Sequence, residues 1–293
     1  MGKIIIEIIG GLGNQMFQYA LYIKMRELYG SDNVSIYLGR FDTVDDNKGY
    51  QIERVFSACD ANVYTSEVFS LIDENLNFSS RLRRRLIGRK KTQILEVNGT
   101  CDADIFNLKL DHNYYIRGLW QSEQYFLDFK DYVREAFTFL DSSLSNKWAN
   151  YTVAGNKYIS LHVRRGDYVD NPKYSNMLGN VCDKEYYIRA LEYCSNEFGK
   201  DFTLIVFSDD IAWVKSEFDF LNKYKVMFSN NSSDIEDLFF MSMCDNNIIA
   251  NSTFSWWGAW LNSNEEKVVI APKKWSHVKS LGNRIVPNYW ITI

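Results

Sequence analysis

The sequence predicts an α/β protein with two domains of the doubly wound type. The chain opens on an apolar, β-branched segment, a glycine-rich turn and a stretch with apolar residues at helical spacing, and a second apolar segment follows at once. This strand–helix–strand order predicts a parallel sheet. The same alternation restarts after a polar interval near residue 150. We therefore predict α/β domains over residues 1–150 and 151–293, facing each other across a cleft of the kind that binds small molecules.

Each element of the first half is predicted from the spacing of its apolar residues. In chain order these are a strand over Lys3 to Ile9, a turn over Gly10 to Gly13, a helix over Asn14 to Tyr29 that ends at Gly30, a strand over Val34 to Leu38, a strand over Tyr114 to Trp120 and a helix from Ser122. Between Phe41 and Asn113 the pattern weakens into short helices and polar loops, and their order is not predicted.

Five short apolar segments of the second half have the length and β-branched content of buried strands. They are Tyr158 to His162, Phe202 to Ser208, Lys225 to Phe228, Asn247 to Ala250 and Val268 to Pro272. The polar stretch from Ser142 to Asn156 precedes them and sets the predicted domain boundary.

Charge and cysteine spacing limit the class of protein. The formal net charge is −4 over 293 residues, which argues against general nucleic-acid binding, because that requires a basic excess. The apolar run at Ile4 to Ile9 is short and is broken by Glu7, so we expect neither a secretory leader nor a membrane-spanning segment. Five cysteines without C-x-x-C spacing predict neither a disulfide framework nor a zinc site. We expect a cytoplasmic protein.

The run from Arg81 to Lys91, RLRRRLIGRKK, is a local exception to this acidic balance. Such a run can hold a protein at the anionic inner face of a membrane, since each basic residue near the surface contributes about 1 kcal/mol. It can equally be the solvated face of a helix. The sequence leaves both interpretations open.

The most informative motif is His162-Val163-Arg164-Arg165-Gly166-Asp167, directly after the predicted strand at Tyr158. Open α/β sheets bind ligands at the carboxyl ends of their strands. A guanidinium can donate two parallel hydrogen bonds to phosphate oxygens and keeps its charge near neutral pH. The arginine pair therefore predicts a diphosphate site in which Asp167 holds one arginine in position. An ordinary surface ion pair is the alternative, and the strand placement argues against it.

The glycine-rich turn from Gly10 to Gln15 only partly fits a dinucleotide fingerprint. Met16 stands where a third glycine is expected, and no acidic residue follows the second strand near Leu38. The helix N-terminus still offers amide donors to an anion or a sugar hydroxyl, and Asn14 and Gln15 add side-chain donors. A tight turn with a purely structural role is the alternative.

Four segments together carry a family resemblance. They are GGLGNQMFQYA from Gly10 to Ala20, GLWQS from Gly118 to Ser122, HVRRGDY from His162 to Tyr168 and NSTFSWWGAW from Asn251 to Trp260. In this order they closely resemble the motifs of bacterial α-1,2-fucosyltransferases, glycosyltransferase family 11. The resemblance implies a GT-B-like architecture with two Rossmann-like domains, the first facing the acceptor and the second holding GDP-β-L-fucose. It implies inverting transfer of fucose to O2 of a terminal galactose.

The resemblance also assigns roles to residues. Arg164 would contact the departing β-phosphate, and Arg165 would support it. Asp237 would accept from guanine N1 and its exocyclic amine, although a helix N-terminal acid favoured by the macrodipole is an equal interpretation. The full predicted set is Arg164, Arg165 and Asp167 for catalysis; His162, Asp237, Asn251, Ser252, Thr253, Ser255, Gly11, Gly13, Asn14 and Gln15 for the donor; and Trp120 and Gln121 on the acceptor side.

The metal and the general base are treated separately. Asp102-Ala103-Asp104 has the D-x-D form that holds a divalent metal in some glycosyltransferases, but a loop turn is favoured, and the resemblance implies no metal. A base must take the acceptor proton unless a donor phosphate oxygen does so. Asp167 is the named candidate, and Asp170 and Glu123 are alternatives.

Two other functions stay open. One is an inverting transferase that uses another nucleotide sugar or acceptor hydroxyl, and the other is a glycan- or nucleotide-binding module without catalysis. The arginine pair argues against a lectin, because a neutral glycan has no need of it. The sequence does not distinguish a free oligosaccharide from a lipid-linked glycan as the acceptor.

Overall fold

The computed structural model describes residues 2–41, 49–57, 59–66, 68, 70–72, 78–87, 90–97, 100–101, 104–229, 233–278 and 284–293. The chain forms two compact units, Met1–Thr138 and Phe139–Ile293. Each contains a predominantly parallel sheet, so the predicted α/β class with parallel sheets is confirmed.

The strands are β1 (Ile4–Glu7), β2 (Val34–Tyr37), β3 (Gln93–Val97), β4 (Thr100–Cys101), β5 (Tyr114–Arg117), β6 (Tyr158–Val163), β7 (Thr203–Ser208), β8 (Lys225–Phe228), β9 (Asn246–Ile248), β10 (Val269–Ala271) and β11 (Ile291–Thr292). The α-helices are α1 (Leu12–Tyr29), α2 (Ile52–Val55), α3 (Phe78–Ile87), α4 (Lys130–Ala136), α5 (Leu144–Tyr151), α6 (Gly166–Asp170), α7 (Pro172–Leu178), α8 (Lys184–Phe198), α9 (Ile211–Glu217), α10 (Asp234–Met243) and α11 (Thr253–Leu261). Short 3₁₀ helices span Ser31–Asn33, Ile105–Asn107, Glu123–Tyr125, Leu127–Phe129 and Asp219–Lys223.

The first unit has the strand order β2-β1-β5-β3-β4, in which only the β3–β4 pair is antiparallel. Its strand order reverses between β1 and β5. The helix predicted from Ser122 is instead two 3₁₀ turns followed by α4. The physical reason is local, because Phe126 has φ −143° and ψ 8°, which lie outside the helical region and interrupt a continuous helix.

The second unit has six parallel strands in the order β11-β10-β9-β6-β7-β8. Counted from the start of the unit, this is the order 6-5-4-1-2-3 of doubly wound dinucleotide-binding sheets. The reversal lies between β6 and β9, and all six residues of β6 are buried. The carboxyl ends of these two strands therefore border the crevice in which such sheets bind ligands.

The division between the units lies before the predicted boundary at residue 150, because α5 belongs to the second unit. The Trp148 and Tyr151 rings lie 5.2 and 5.3 Å from the ring of Phe240 on α10. The Tyr151 hydroxyl donates to the Phe228 carbonyl. These aromatic contacts attach a segment whose polar composition alone is typical of a linker.

The tryptophans of α11 are part of the core of the second unit. Trp256, Trp257 and Trp260 are buried, and the Trp256 indole donates to the Ile285 carbonyl. In the described part of the chain, no helix is both long enough and apolar enough to cross a bilayer.

Candidate active site

The candidate site lies in the second unit, where the loops after β6 and β9 meet at the strand-order reversal. The loop after β6 carries the arginine pair, and the loop after β9 leads into α11. The Tyr168 hydroxyl donates to the Asn251 carbonyl at 2.9 Å, which joins the two loops. The topology thus brings together two motifs that are more than 80 residues apart in sequence.

Arg164 is held by two carboxylates. Its Nη2 lies 2.6 Å from Asp167 Oδ1, and its Nη1 lies 2.9 Å from Asp209 Oδ2. Burial alone would lower the pKa of Arg164, but the charges of Asp209 and Asp167 outweigh this effect and raise the pKa. The guanidinium is therefore permanently charged, and its orientation is fixed from two sides.

Arg165 is fixed by a different set of contacts. Its backbone amide donates to Asp209 Oδ1, and its Nε donates to Asp210 Oδ2 at 3.1 Å. Its guanidinium carbon lies 3.7 Å from the centre of the Trp213 ring, in a cation–π contact. Asp210 also accepts from the Trp213 amide, so one acidic residue positions both the arginine and the ring beneath it.

Gly166 allows the close approach of Asp209 to this loop. Its φ is +21°, and a Cβ at this position would lie 2.5 Å from Asp209 Oδ2. A side chain here would displace the carboxylate that bridges the two arginines. The glycine of the motif is thus required by the ion-pair geometry.

His162 is buried on β6 beneath the arginine loop, with its ring centre 5.9 Å from that of Phe254 on α11. Burial, assisted by the charge of Arg164, lowers the pKa of His162 to about 3. Its Nδ1 is buried and has no hydrogen-bond partner among the described residues. The imidazole is therefore neutral near pH 7 and offers one polar atom to a ligand or a water molecule.

At the N-terminal end of α11, two residues predicted to bind the donor have structural roles instead. The Asn251 amide donates to the carbonyls of Leu178 and Trp275, so it joins loops and its donors are unavailable to a phosphate. Ser255 is buried and bonds back to the Ser252 carbonyl.

Ser252 and Thr253 lie at the N-terminal end of α11, and their predicted contact with a phosphate stays a prediction. Ser252 is the N-cap residue of α11, and its hydroxyl makes no capping hydrogen bond to an amide of the first helical turn. Thr253 begins the helix, whose first turn directs backbone amides out of the helix end.

Asp237 lies in the first turn of α10, near the end of β8. Ser229, the residue after β8, donates its hydroxyl to Asp237 Oδ1 in a short hydrogen bond. Burial, reinforced by the charges of Asp234 and Glu236, raises the pKa of Asp237 to about 6 against the opposing effect of Ser229. A half-buried carboxylate with a raised pKa gains from a ligand that donates hydrogen bonds to it.

The first unit carries the glycine-rich turn, in which Gln15 has a structural role. Its Nε2 donates to the carbonyls of Gly10 and Gly49, and its Oε1 accepts from the Gln51 amide. The predicted donor contact of Gln15 is therefore not available, because the side chain is buried and fully used. Gln18, which is not among the predicted site residues, has a similar role: its Oε1 accepts from the Ile9 amide, and its Nε2 donates to the Gly118 carbonyl.

The glycines of the turn also differ from expectation. Gly10 has a φ of +78° and lies against Asn14, whereas Gly11 has an ordinary φ of −69° and open space around it. Gly13 is buried within α1. Gly11 is exposed and Asn14 is half-buried. These two residues of the turn are therefore still accessible to a ligand.

The two predicted acceptor-side residues have different environments. Trp120 is fully buried, so it packs in the core and cannot contact an acceptor as predicted. Its φ is +54°, and its amide donates to Glu96 Oε2. Gln121 is half-buried and donates to the Asn14 side chain at 2.8 Å. Glu96, a half-buried acidic residue outside the motifs, therefore fixes this turn by accepting from the Leu119 and Trp120 amides.

Asp209, Asp210 and Trp213 are the main site residues that were not predicted from the sequence. Asp209-Asp210 follows a buried strand, β7, next to β6 in the sheet. Adjacent parallel strands end at the same edge of the sheet. The position of Asp209-Asp210 after β7 therefore indicates that these residues lie beside the arginine pair.

The remaining predicted acids also have structural settings. Asp104 accepts from the Phe106 amide at the start of a 3₁₀ helix, while Asp102 and Ala103 lie outside the described residues. Asp170 is exposed, and Glu123 is buried.

Comparisons with known proteins are consistent with this architecture. The family model described as glycosyl transferase family 11 matches residues 91–293. An α-1,2-colitosyltransferase from Escherichia coli is 30% identical over 100% of this chain and 99% of its own. The O-antigen biosynthesis glycosyltransferase WbnK from Escherichia coli is 32% identical over 91% and 92% of the two chains.

A solved structure extends the agreement to the fold. A FUT1 mutant from Arabidopsis thaliana in complex with GDP superposes with a TM-score of 0.55 at 14% identity, covering 98% of this chain and 75% of its own. The predicted GT-B-like fold class is confirmed.

Proposed function

The chain belongs to glycosyl transferase family 11 and is a glycosyltransferase, and from this premise we propose that it transfers L-fucose from GDP-β-L-fucose to O2 of a terminal galactose. The proposed acceptor is a galactose-terminated oligosaccharide or lipid-linked glycan, as in bacterial surface-polysaccharide assembly. The motif resemblance and the α-1,2 linkage in the name of one relative support this reaction.

The ordered arginine pair is the observation that carries the proposal. Arg164 and Arg165 lie at the strand-order reversal of a doubly wound sheet and are held by Asp167, Asp209 and Asp210. Preorganised donors stabilise charge that develops in a transition state, because they need no reorganisation when the bond breaks. Here the developing charge is on the β-phosphate of departing GDP.

In the proposed reaction, O2 of galactose attacks C1 of fucose as the bond from C1 to the β-phosphate oxygen breaks. The electron pair leaves with GDP, and the β-linked donor gives an α-linked product. The acceptor proton passes to a base or to a donor phosphate oxygen. Asp167 is the candidate base named from the sequence, but its Oδ1 lies 2.6 Å from Arg164 Nη2 and is engaged in that ion pair.

Other residues are proposed to hold the donor. Asp237 would accept from guanine N1 and its exocyclic amine, and the amides at the start of α11, with Ser252 and Thr253, would bind phosphate oxygens. Neutral His162 contributes its free nitrogen. No metal is part of this proposal, since two guanidiniums and a helix N-terminus supply the positive potential.

A second donor is favoured by one specific finding. The relative that matches along the whole chain is named for colitose, and colitose is fucose without the hydroxyl group at C3. GDP-colitose would use the same guanine and phosphate contacts. The two donors would differ only in contacts to that hydroxyl.

The test is to incubate the purified protein with GDP-fucose or GDP-colitose and a panel of β-galactosides in EDTA. Release of GDP is followed, and the linkage of the product is assigned by NMR. An α-1,2-fucosylated galactoside formed without metal supports the proposal in full. Turnover of GDP-colitose alone would replace the donor, and absence of GDP-sugar binding by calorimetry would contradict the proposal.

A further inference from the structure

Helix α3 of the first unit exposes an apolar stripe to solvent. Phe78, Leu82 and Leu86 are 80%, 44% and 73% exposed, although they recur every four residues as core positions do. At about 100° per residue, these three side chains lie within an arc of about 80° on the helix. Contiguous apolar surface of this kind usually marks an interaction site.

Basic residues border this stripe on both sides. On the same helical projection, Arg81 and Arg83 lie about 100° to either side of its centre. The helix contains four arginines and no acidic residue, within a chain of net charge −4. Arg81 and Arg85 are exposed and form no ion pair with any residue that the structure describes. An apolar face bordered by arginines complements an anionic lipid surface.

The helix is also anchored at its base. After α3, Lys90 donates to the carbonyls of Ser70 and Ile72, and the Thr92 hydroxyl donates to the Leu71 carbonyl. These bonds attach the residues on both sides of the helical segment to each other. A helix held in this way presents its stripe without rearrangement of the sheet.

We propose that α3 docks on the surface of an anionic phospholipid bilayer, with Phe78, Leu82 and Leu86 inserted among the acyl chains and the exposed Arg81 and Arg85 at the headgroups. Arginine side chains can place their apolar stems along the buried face while the guanidinium stays at the phosphates. The proposal concerns a surface and not the reaction, and it does not depend on which sugar the enzyme transfers.

The experiment is co-sedimentation of the full-length protein with vesicles of phosphatidylcholine alone or mixed with phosphatidylglycerol. Phe78→Ser with Leu82→Ser and Leu86→Ser should lower partitioning into the mixed vesicles on the order of 10-fold or more. Arg81→Gln with Arg85→Gln should lower it by about 30-fold, at about 1 kcal/mol for each charge, and should leave binding to phosphatidylcholine unchanged.

Matched controls are chosen from other exposed positions. Leu140→Ser with Val153→Ser removes exposed apolar side chains, and Lys200→Gln with Lys223→Gln removes exposed charges; both should bind like the wild type. Thermal unfolding and GDP release with a soluble acceptor should be unchanged in the α3 variants, because the altered side chains are exposed and outside the site.

Three results would overturn the proposal. They are a wild-type protein that does not sediment with the mixed vesicles, a stripe variant that sediments as well as the wild type, and a concentration-dependent dimer that the stripe variant abolishes. The last would make the stripe an interface between copies of the chain. None of these three results affects the assay of donor and acceptor. Failure of the membrane proposal is therefore distinguishable from failure of the proposed function.

Discussion

The two units have polar turns at equivalent places, where the strand order of each sheet reverses, but the chemistry of these turns differs. In the second unit the turn is ionic, with Arg164 and Arg165 held by three carboxylates. In the first unit the glycine-rich turn is held by the side-chain amides of Gln15 and Gln18. The proposed diphosphate contacts therefore involve the charged turn of the second unit, whereas the side-chain amides of the first turn are bonded within the fold.

Arg164→Lys tests the ionic turn and should have the largest effect. The substitution keeps the charge but loses the planar fork, so kcat should fall on the order of 10²–10³-fold. Steady-state GDP release measures it. Arg189→Lys, at an exposed position on α8, is the matched control and should be neutral. Near-normal kcat in Arg164→Lys would show that the ionic turn has no part in leaving-group stabilisation.

Asp237→Asn tests whether recognition of the guanine base is also a property of the second unit. Loss of a charged acceptor should raise the donor KM about 10- to 100-fold with a smaller change in kcat. Asp234→Asn, at an exposed neighbour, is the control. A variant that loses kcat and keeps its donor KM would exclude the guanine role.

The pH dependence of donor binding sharpens the same assignment. Because the pKa of Asp237 is raised to about 6, its carboxylate becomes protonated below that pH, and it then loses its charge and can no longer accept with both oxygens. The donor kcat/KM should therefore fall about tenfold per pH unit below about 6. Asp237→Asn should lack this limb, and an identical profile in both proteins would assign it to another group.

Gln15→Ala tests the neutral turn of the first unit and should change the stability of the fold. The substitution leaves two carbonyls and one amide without partners, so the free energy of unfolding should fall by about 1–3 kcal/mol. Urea unfolding measures it, with exposed Gln124→Ala as the control. If Gln15→Ala has wild-type stability but reduced affinity for the donor, the result would support the predicted contact between Gln15 and the donor.

Gly10→Ala and Gly11→Ala form the mildest pair. Gly10 has a φ of +78°, so an alanine there should cost about 1–2 kcal/mol of stability, while Gly11→Ala should be nearly neutral to folding. If Gly11→Ala also raises the donor or acceptor KM, a ligand approaches this exposed backbone. Equal stabilities of the two variants would contradict the turn geometry.

Much of the fold was predictable because strands buried on both faces are apolar along their whole length. The segments at Tyr158, Thr203 and Lys225 are strands within a residue or two of the predicted limits. The division at residue 138 was not predictable, because α5 reads as a polar linker and is attached to the second unit by aromatic rings on α10.

The candidate site was predictable only in part. The arginine pair and Asp167 meet as expected because they are neighbours in sequence. Asn251, Gln15 and Trp120 were assigned to ligands, and each is used by the fold instead. A motif indicates that a residue is required. It does not distinguish a residue that contacts a ligand from a buried residue that packs in the core or bonds to the backbone.

The sequence by itself determined the class of fold, the family and the arginine pair, because these depend on local apolar spacing and on short motifs. Only the tertiary structure decided which carboxylates orient the arginines, since Asp209 and Asp210 reach them across two adjacent strands and about 45 residues of chain. It also decided that the stripe on α3 faces solvent. Periodicity predicts an apolar face, but whether that face is covered depends on what packs against it.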